Sequence, residues 1–266
     1  MPVNDTVLCT IDERGVASVT LNRPAVGNAY NDALIDGLIE TVARLAREPG
    51  LRCAVLRGAG RHFQAGADLS FLRRLGTAPA EENLDFSRRT MAAIDGLRHF
   101  QHPTIAVVHG GCFGGGVGIA AACDIVIAAE DAVFAINEVR WGITAAPIIP
   151  LLADRLGSGV LGRLALTGER FAAAEARRIG LVHEVCPASG LDAAAARIVD
   201  ELLMAAPEAA AMTKALVAVV AEIPDTPGFR ERIANEAAAR RRLPEAAEGL
   251  ASFAEKRRPK WYPAAG

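Results

Sequence analysis

Residues 104–138 constrain this chain more than any other stretch. They open with an apolar, β-rich run, Thr104-Ile105-Ala106-Val107-Val108, short and bounded like a buried strand. A glycine-dense loop follows, with Gly110, Gly111, Gly114, Gly115, Gly116 and Gly118. Residues 119–123 read as a short, tightly packed helix, and Ile125-Val126-Ile127-Ala128 as a second buried strand. The stretch ends on Glu138, a lone carboxylate among Phe134, Ala135, Ile136 and Val139. Glycine lets a backbone approach a ligand and adopt positive φ. A helix start beyond such a loop leaves N–H groups unpaired, with partial positive charge behind them. That combination suits a developing negative charge. Taken alone, the loop reads equally well as a packing corner, and Glu138 as a glutamate paired with Arg140.

The rest of the chain supplies the context. Val7 to Ile11 and Val16 to Leu21 are β-branched runs around the turn-forming Asp12-Glu13-Arg14-Gly15, which predicts a hairpin. Asn31-Asp32 offers an N-cap to a helix carrying Leu34, Leu38, Val42 and Leu45 at helical spacing. Residues 53–56 read as the next strand. In the loop 61–70, Ala65-Gly66-Ala67 carries almost no side chain, so a ligand could lie against the main chain itself. Asp68 reads as the cap of a following helix rather than a chemical group. Residues 73–83 show no period and predict a mobile link; residues 84–100 predict a helix. Beyond Glu138, Pro147 suits the first turn of a helix that Gly157 ends. Residues 161–166 and 172–178 predict two more helices, and Leu181-Val182 a last short strand. From residue 191 the chain predicts alanine-rich helices over 193–204, 207–220, 228–241 and 244–253. The pattern is α/β: a core of repeated β-β-α units over 1–190, then a helical region, 191–266. Alanine helices bury little area each, so they need the core or another copy of the chain to pack against.

Composition narrows the function. Hydrophobic residues make up 51% and charged residues 23%, enough for a sizeable core, and the net charge of −2 gives nucleic acid or an anionic membrane little to bind. No apolar run is long enough to span a bilayer and the start carries no signal-peptide pattern, which predicts a cytoplasmic protein. The cysteines Cys9, Cys53, Cys112, Cys123 and Cys186 lack metal-ligand spacing, and Cys112 and Cys123 read as small buried hydrophobes. His99 and His102 have no third ligand nearby, so no metal site is expected. No G-x-S-x-G turn marks a serine hydrolase.

Three blocks occur in a telling order: NRPAVGNA, HFQAGADL, and HGGCFGGGVGIAAACD leading to INEVRWGI. With ALTGERFAAAEARRIGLVHEV and FAEKRRPKW, they resemble the enoyl-CoA hydratase/isomerase (crotonase) superfamily over nearly the whole chain. The resemblance implies a crotonase-like spiral, an acyl-CoA substrate with no further cofactor, and a homotrimer or dimer of trimers. It implies that the N–H groups of Ala67 and Gly115 form an oxyanion hole and that Glu138 is the acid/base. Ala29, Ala65, Gly66, Asp68, Leu69, Gly114, Gly118 and Lys256 would then bind substrate. Lys256 remains open between a CoA phosphate ligand and a solvated helix end. One departure matters: hydratases of the superfamily carry a second glutamate where this chain has Gly118. The space there is expected to hold a water on backbone groups. Hydration of an α,β-unsaturated acyl-CoA, branched or glutaconyl-type, is the expected reaction, with Δ3-Δ2-enoyl-CoA isomerisation by Glu138 alone as the alternative. An RNA-binding relative would want lysines near residues 31–47, where this chain has none.

Overall fold

The computed structural model describes residues 5–220 and 226–263. Its centre is a six-stranded sheet built from β1 (Val7–Ile11), β2 (Val16–Leu21), β3 (Cys53–Gly58), β4 (Thr104–Val108), β6 (Ile125–Ala129) and β9 (Glu184–Cys186), in that spatial order. Only the β1–β2 hairpin is antiparallel; β2 through β9 run parallel. Parallel strands covered on both sides need no polar alternation, and all five residues of β4 are buried. A second, three-stranded sheet joins β5 (Gly111–Phe113), β7 (Val133–Ala135) and β8 (Arg170–Ala172). The chain climbs by a repeated step. A strand enters the large sheet, the next enters the small sheet, and a helix returns: β4, β5, then α4 (Gly115–Ala122).

Helices pack around this spiral. Helix α1 (Asp32–Leu45) starts where Asn31 accepts a hydrogen bond from Leu34 N–H, and buries Leu34, Ile35, Leu38 and Leu45. Helix α8 (Leu191–Met204) crosses β3, β4 and β6. Helix α9 (Pro207–Val220) follows, then α10 (Pro227–Arg240) and α11 (Pro244–Ala254). Among the described residues, no single helix is long and apolar enough to cross a membrane.

Four expectations change. Residues 73–83 are not a loose link: they lie in α2 (Leu69–Thr77) and the start of α3 (Ala80–Arg98). Helix α2 is held by only two buried side chains, Phe71 and Leu75, one turn apart, and Pro79 breaks it from α3. Pro147 precedes its helix. Helix α5 (Ile149–Leu156) carries Pro150 in its first turn and ends, as expected, at Gly157. Leu181 and Val182 form no strand; both N–H groups donate to Ala176 O, closing α7 (Ala173–Arg178). The last strand is β9, Glu184-Val185-Cys186, which pairs with β6 at the sheet edge. Finally, Gly115, Gly116 and Gly118 lie inside α4 rather than before it.

One polar cluster ties the C-terminal helices to the sheet. Asp124 Oδ2 accepts from Thr104 N–H (2.7 Å), the Thr104 hydroxyl (2.8 Å) and Lys214 Nζ (2.7 Å). Lys214, on α9, also donates to His102 O at 3.0 Å. The Lys214 side chain is only 12% exposed and that of Asp124 31%, so removing one partner strands the other in a poorly hydrated place. Asp124→Ala is expected to cost about 2–3 kcal/mol. Urea denaturation should show a lower midpoint at unchanged slope.

Candidate active site

Two loops meet on the glycine-rich corner, and side chains rather than chance hold each of them. In the first, Asn28 adopts a φ of 60° with its side chain fully buried. Its amide donates to Ala59 O and His62 O, both at 2.8 Å, while its Oδ1 accepts from Arg23 N–H. Arg23 in turn pairs with Asp68 at 3.1 Å and donates to Ala29 O. Asp68 caps α2 by accepting from Ser70 N–H and Phe71 N–H, the role expected for it. The Ser70 hydroxyl and Arg23 hold its carboxyl below the ordinary range.

Gln64 clamps the next turn. Its Oε1 accepts from Gly66 N–H at 2.7 Å and its Nε2 donates to Gly66 O at 2.9 Å. That fixes Gly66 at a φ of 94°, where a Cβ would be strained. Tyr30 N–H donates to Gly66 O, and Asp68 N–H donates to Tyr30 O, forming a short parallel bridge. Gly66 and Asp68 are thereby engaged, and the Ala67 N–H between them has no acceptor among the described residues. The Ala65 N–H binds Gly27 O at 2.9 Å. Leu69, the first residue of α2, is 44% exposed.

The second loop delivers Gly114 and Gly115. Gly114 N–H donates to Ala135 O at 2.8 Å, and Gly115 begins α4. As the first helical residue it has no helical acceptor, and its N–H also has none elsewhere among the described residues. The same Gln64 reaches this loop: its carbonyl accepts from Phe113 N–H at 2.9 Å, and its side chain fills the space beside Gly116. One buried glutamine thus braces both turns.

Glu138 stands in a short 3-10 turn, Glu138–Trp141, after β7. A Cβ on Gly114 would lie 2.8 Å from its Oε1, so the carboxylate occupies the place a side chain at 114 would take. Its Oε2 is buried without a hydrogen-bond partner. Arg140 turns away to Thr167 O, so the pairing of Glu138 with Arg140 does not form. Burial raises the Glu138 pKa above the ordinary glutamate range. The space at Gly118 is a correction. A Cβ there would meet Ile148 Cγ2 at 2.1 Å, so a methyl group already fills it and no water site opens. Lys256 lies past α11 with a φ of 53°, outside this cluster of contacts.

A cavity of about 820 Å³ lies elsewhere, between α5, α8, α9 and the end of α4. Its charged groups are already engaged: Lys214 with Asp124, and Arg155 with the carbonyls of Ala121 and Cys123. Unengaged polar groups, not volume, point to the corner around Glu138 as the reactive place.

The family model for enoyl-CoA hydratase/isomerase matches residues 12–263. The chain belongs to the enoyl-CoA hydratase/isomerase family. Solved structures share its fold closely. A crystal structure of an enoyl-CoA hydratase from Shewanella pealeana superposes with a TM-score of 0.91 at 32% identity, covering 96% of each chain. Pseudomonas aeruginosa AtuE gives 0.92 at 34%, covering 97% of this chain and all of that one (100%). The mitochondrial enoyl-CoA hydratase of Pongo abelii is 31% identical over 91% of this chain and 82% of its own.

In this family member the sequence singles out Glu138, Ala67, Gly115 and Asp68 as candidates but gives no role to Gln64, Asn28, Ile148 or Tyr30. Gln64 stood inside a matching block, yet nothing in a sequence tells a buried clamp from a surface amide.

Glu138→Gln tests the carboxylate in two ways. Activity should fall by at least about a hundred-fold, the lower end of what an acid/base supplies. Stability should move the other way. A carboxyl whose pKa is raised in the folded state is penalised once ionised, so folding weakens as pH rises through its window. The variant should therefore melt higher than the parent at pH 8, with the gap closing toward pH 4. Calorimetry at the two pH values checks the sign.

Proposed function

We propose that this enzyme adds water across the double bond of an α,β-unsaturated acyl-CoA, with Glu138 as its single acid/base. The observation that carries this reading is the buried, unpartnered Glu138 Oε2 behind Gly114, beside two turns whose Ala67 and Gly115 N–H groups lack acceptors among the described residues. The thioester oxygen would sit between those N–H groups, Gly66 and Gly114 letting the substrate lie against main chain. Charge then develops where donors are already fixed, and such a donor is typically worth roughly 3–4 kcal/mol of barrier. Glu138 takes a proton from water as the oxygen bonds to the β-carbon, then returns it to the α-carbon. Its raised pKa suits both halves of that exchange. No cofactor or metal enters the scheme.

The block INEVRWGI and the proline-bounded segment after it support a branched or glutaconyl-type acyl chain. Lys256 would face the CoA phosphates. Residues 191–266 would join copies of the chain into a trimer or paired trimers; α10 buries none of its residues and Phe253 is 86% exposed.

A second reading has its own support. With Ile148 filling the space beside Gly118, no second carboxylate or water is held there, which suits Δ3-Δ2 isomerisation, a proton shuttle needing one base. Oxygen-labelled water separates the two. Label in a 3-hydroxyacyl-CoA product from 2-enoyl-CoA is the expected outcome. Interconversion of 2- and 3-enoyl-CoA without label would replace the hydratase by the isomerase.

A further inference from the structure

The N–H groups of Ala67 and Gly115 have no acceptors among the described residues. One polar side chain borders both donors. Tyr30 follows Ala29, and its main chain bridges to Ala67. Its ring covers the start of α4: a Cβ on Gly115 would come within 2.5 Å of Tyr30 Cε1 and 2.8 Å of its hydroxyl oxygen. Only glycine at 115 lets the phenol come so near that residue's main chain. From the other side Phe86 stacks on the ring, with centroids 6.3 Å apart at 23°, and Phe86 is itself held edge-on by Phe71 at 4.7 Å. The ring is therefore fixed, yet its hydroxyl, which still reaches solvent, has no hydrogen-bond partner among the described residues. A rigid, half-buried phenol without a partner is a donor waiting for an acceptor.

We propose that the Tyr30 hydroxyl is a third hydrogen-bond donor to the thioester oxygen, tightening as that oxygen becomes an enolate. The proposal rests on the acyl-CoA reading above and holds for hydration and isomerisation alike. In the hydration step the water oxygen bonds to the β-carbon, its proton passes to Glu138, and the π pair moves onto the thioester oxygen. Tyr30 donates to that oxygen without giving up its proton. The pair returns to the carbonyl as Glu138 protonates the α-carbon. Burial, with the nearby charge of Glu138, raises the phenol pKa and keeps Tyr30 protonated throughout. A hydroxyl on a fixed ring adds little to ground-state binding, so its effect belongs in kcat.

Tyr30→Phe removes the oxygen and keeps the stack on Phe86. Turnover of enoyl-CoA should fall about a hundred-fold with KM held within about two-fold, as for loss of one oxyanion donor. Binding supplies a second readout. Acetoacetyl-CoA, which forms an enolate, should bind the variant at least about ten-fold more weakly, while saturated butyryl-CoA binds both proteins alike. Turnover and acetoacetyl-CoA affinity both within two-fold of the parent would overturn the proposal and leave the acyl-CoA reading standing. A parent protein that binds neither thioester would remove that reading, and the proposal with it.

Discussion

The site depends on a side chain that is missing. Gly114 has no Cβ, and the Glu138 carboxylate lies where one would be. The same residue turns at a φ of 52° to set Gly115 at the head of α4. Any larger residue at 114 would displace the carboxylate and strain the turn at once. Glycine here therefore brings the Glu138 carboxylate and the main-chain N–H of Gly115 to the same corner. On the facing loop Gly66 does the corresponding work, held at a φ of 94° by the two-point clamp of Gln64.

Such corners survive only on a rigid support. One loop leaves β3 of the large sheet and the other leaves β5 of the small one; β4, at the large sheet's centre, is buried throughout, and Asn28 and Gln64 spend buried hydrogen bonds on loop carbonyls and amides. Polar groups that lack partners in the interior are costly. The unpaired oxygen of Glu138 is such a cost, and it is the observation on which the proposed acid/base role rests. The Asp124 cluster does the opposite work at the far end of the strands, satisfying each of its donors to anchor α9.

Much of the fold was legible where local chemistry and tertiary packing agree. The hairpin, the Asn31 cap and the C-terminal helices could be read from turn residues, capping and apolar spacing. The failures have physical causes. Helix α2 rests on two apolar anchors, too few to show a period. Leu181 and Val182 are apolar because they close a helix end, whereas the true strand β9, Glu184-Val185-Cys186, is a three-residue edge strand too short to show a pattern. At the site, Glu138 and the two glycine- and alanine-rich turns were visible as motifs. What fills a gap was not. A glycine at 118 reports a missing Cβ, but only folding brings Ile148 from a distant segment into the space. Tyr30 likewise became a site residue only when its ring was seen over Gly115.

The central claim is that one carboxylate and fixed main-chain donors together stabilise a thioester enolate. Exchange at the α-carbon of saturated butyryl-CoA in deuterated water tests it without depending on hydration or isomerisation. The parent enzyme should introduce deuterium at that carbon at a rate the Glu138→Gln variant cannot match, as mass spectrometry of the recovered thioester would record. Absence of α-exchange in a parent enzyme that turns over enoyl-CoA would contradict it.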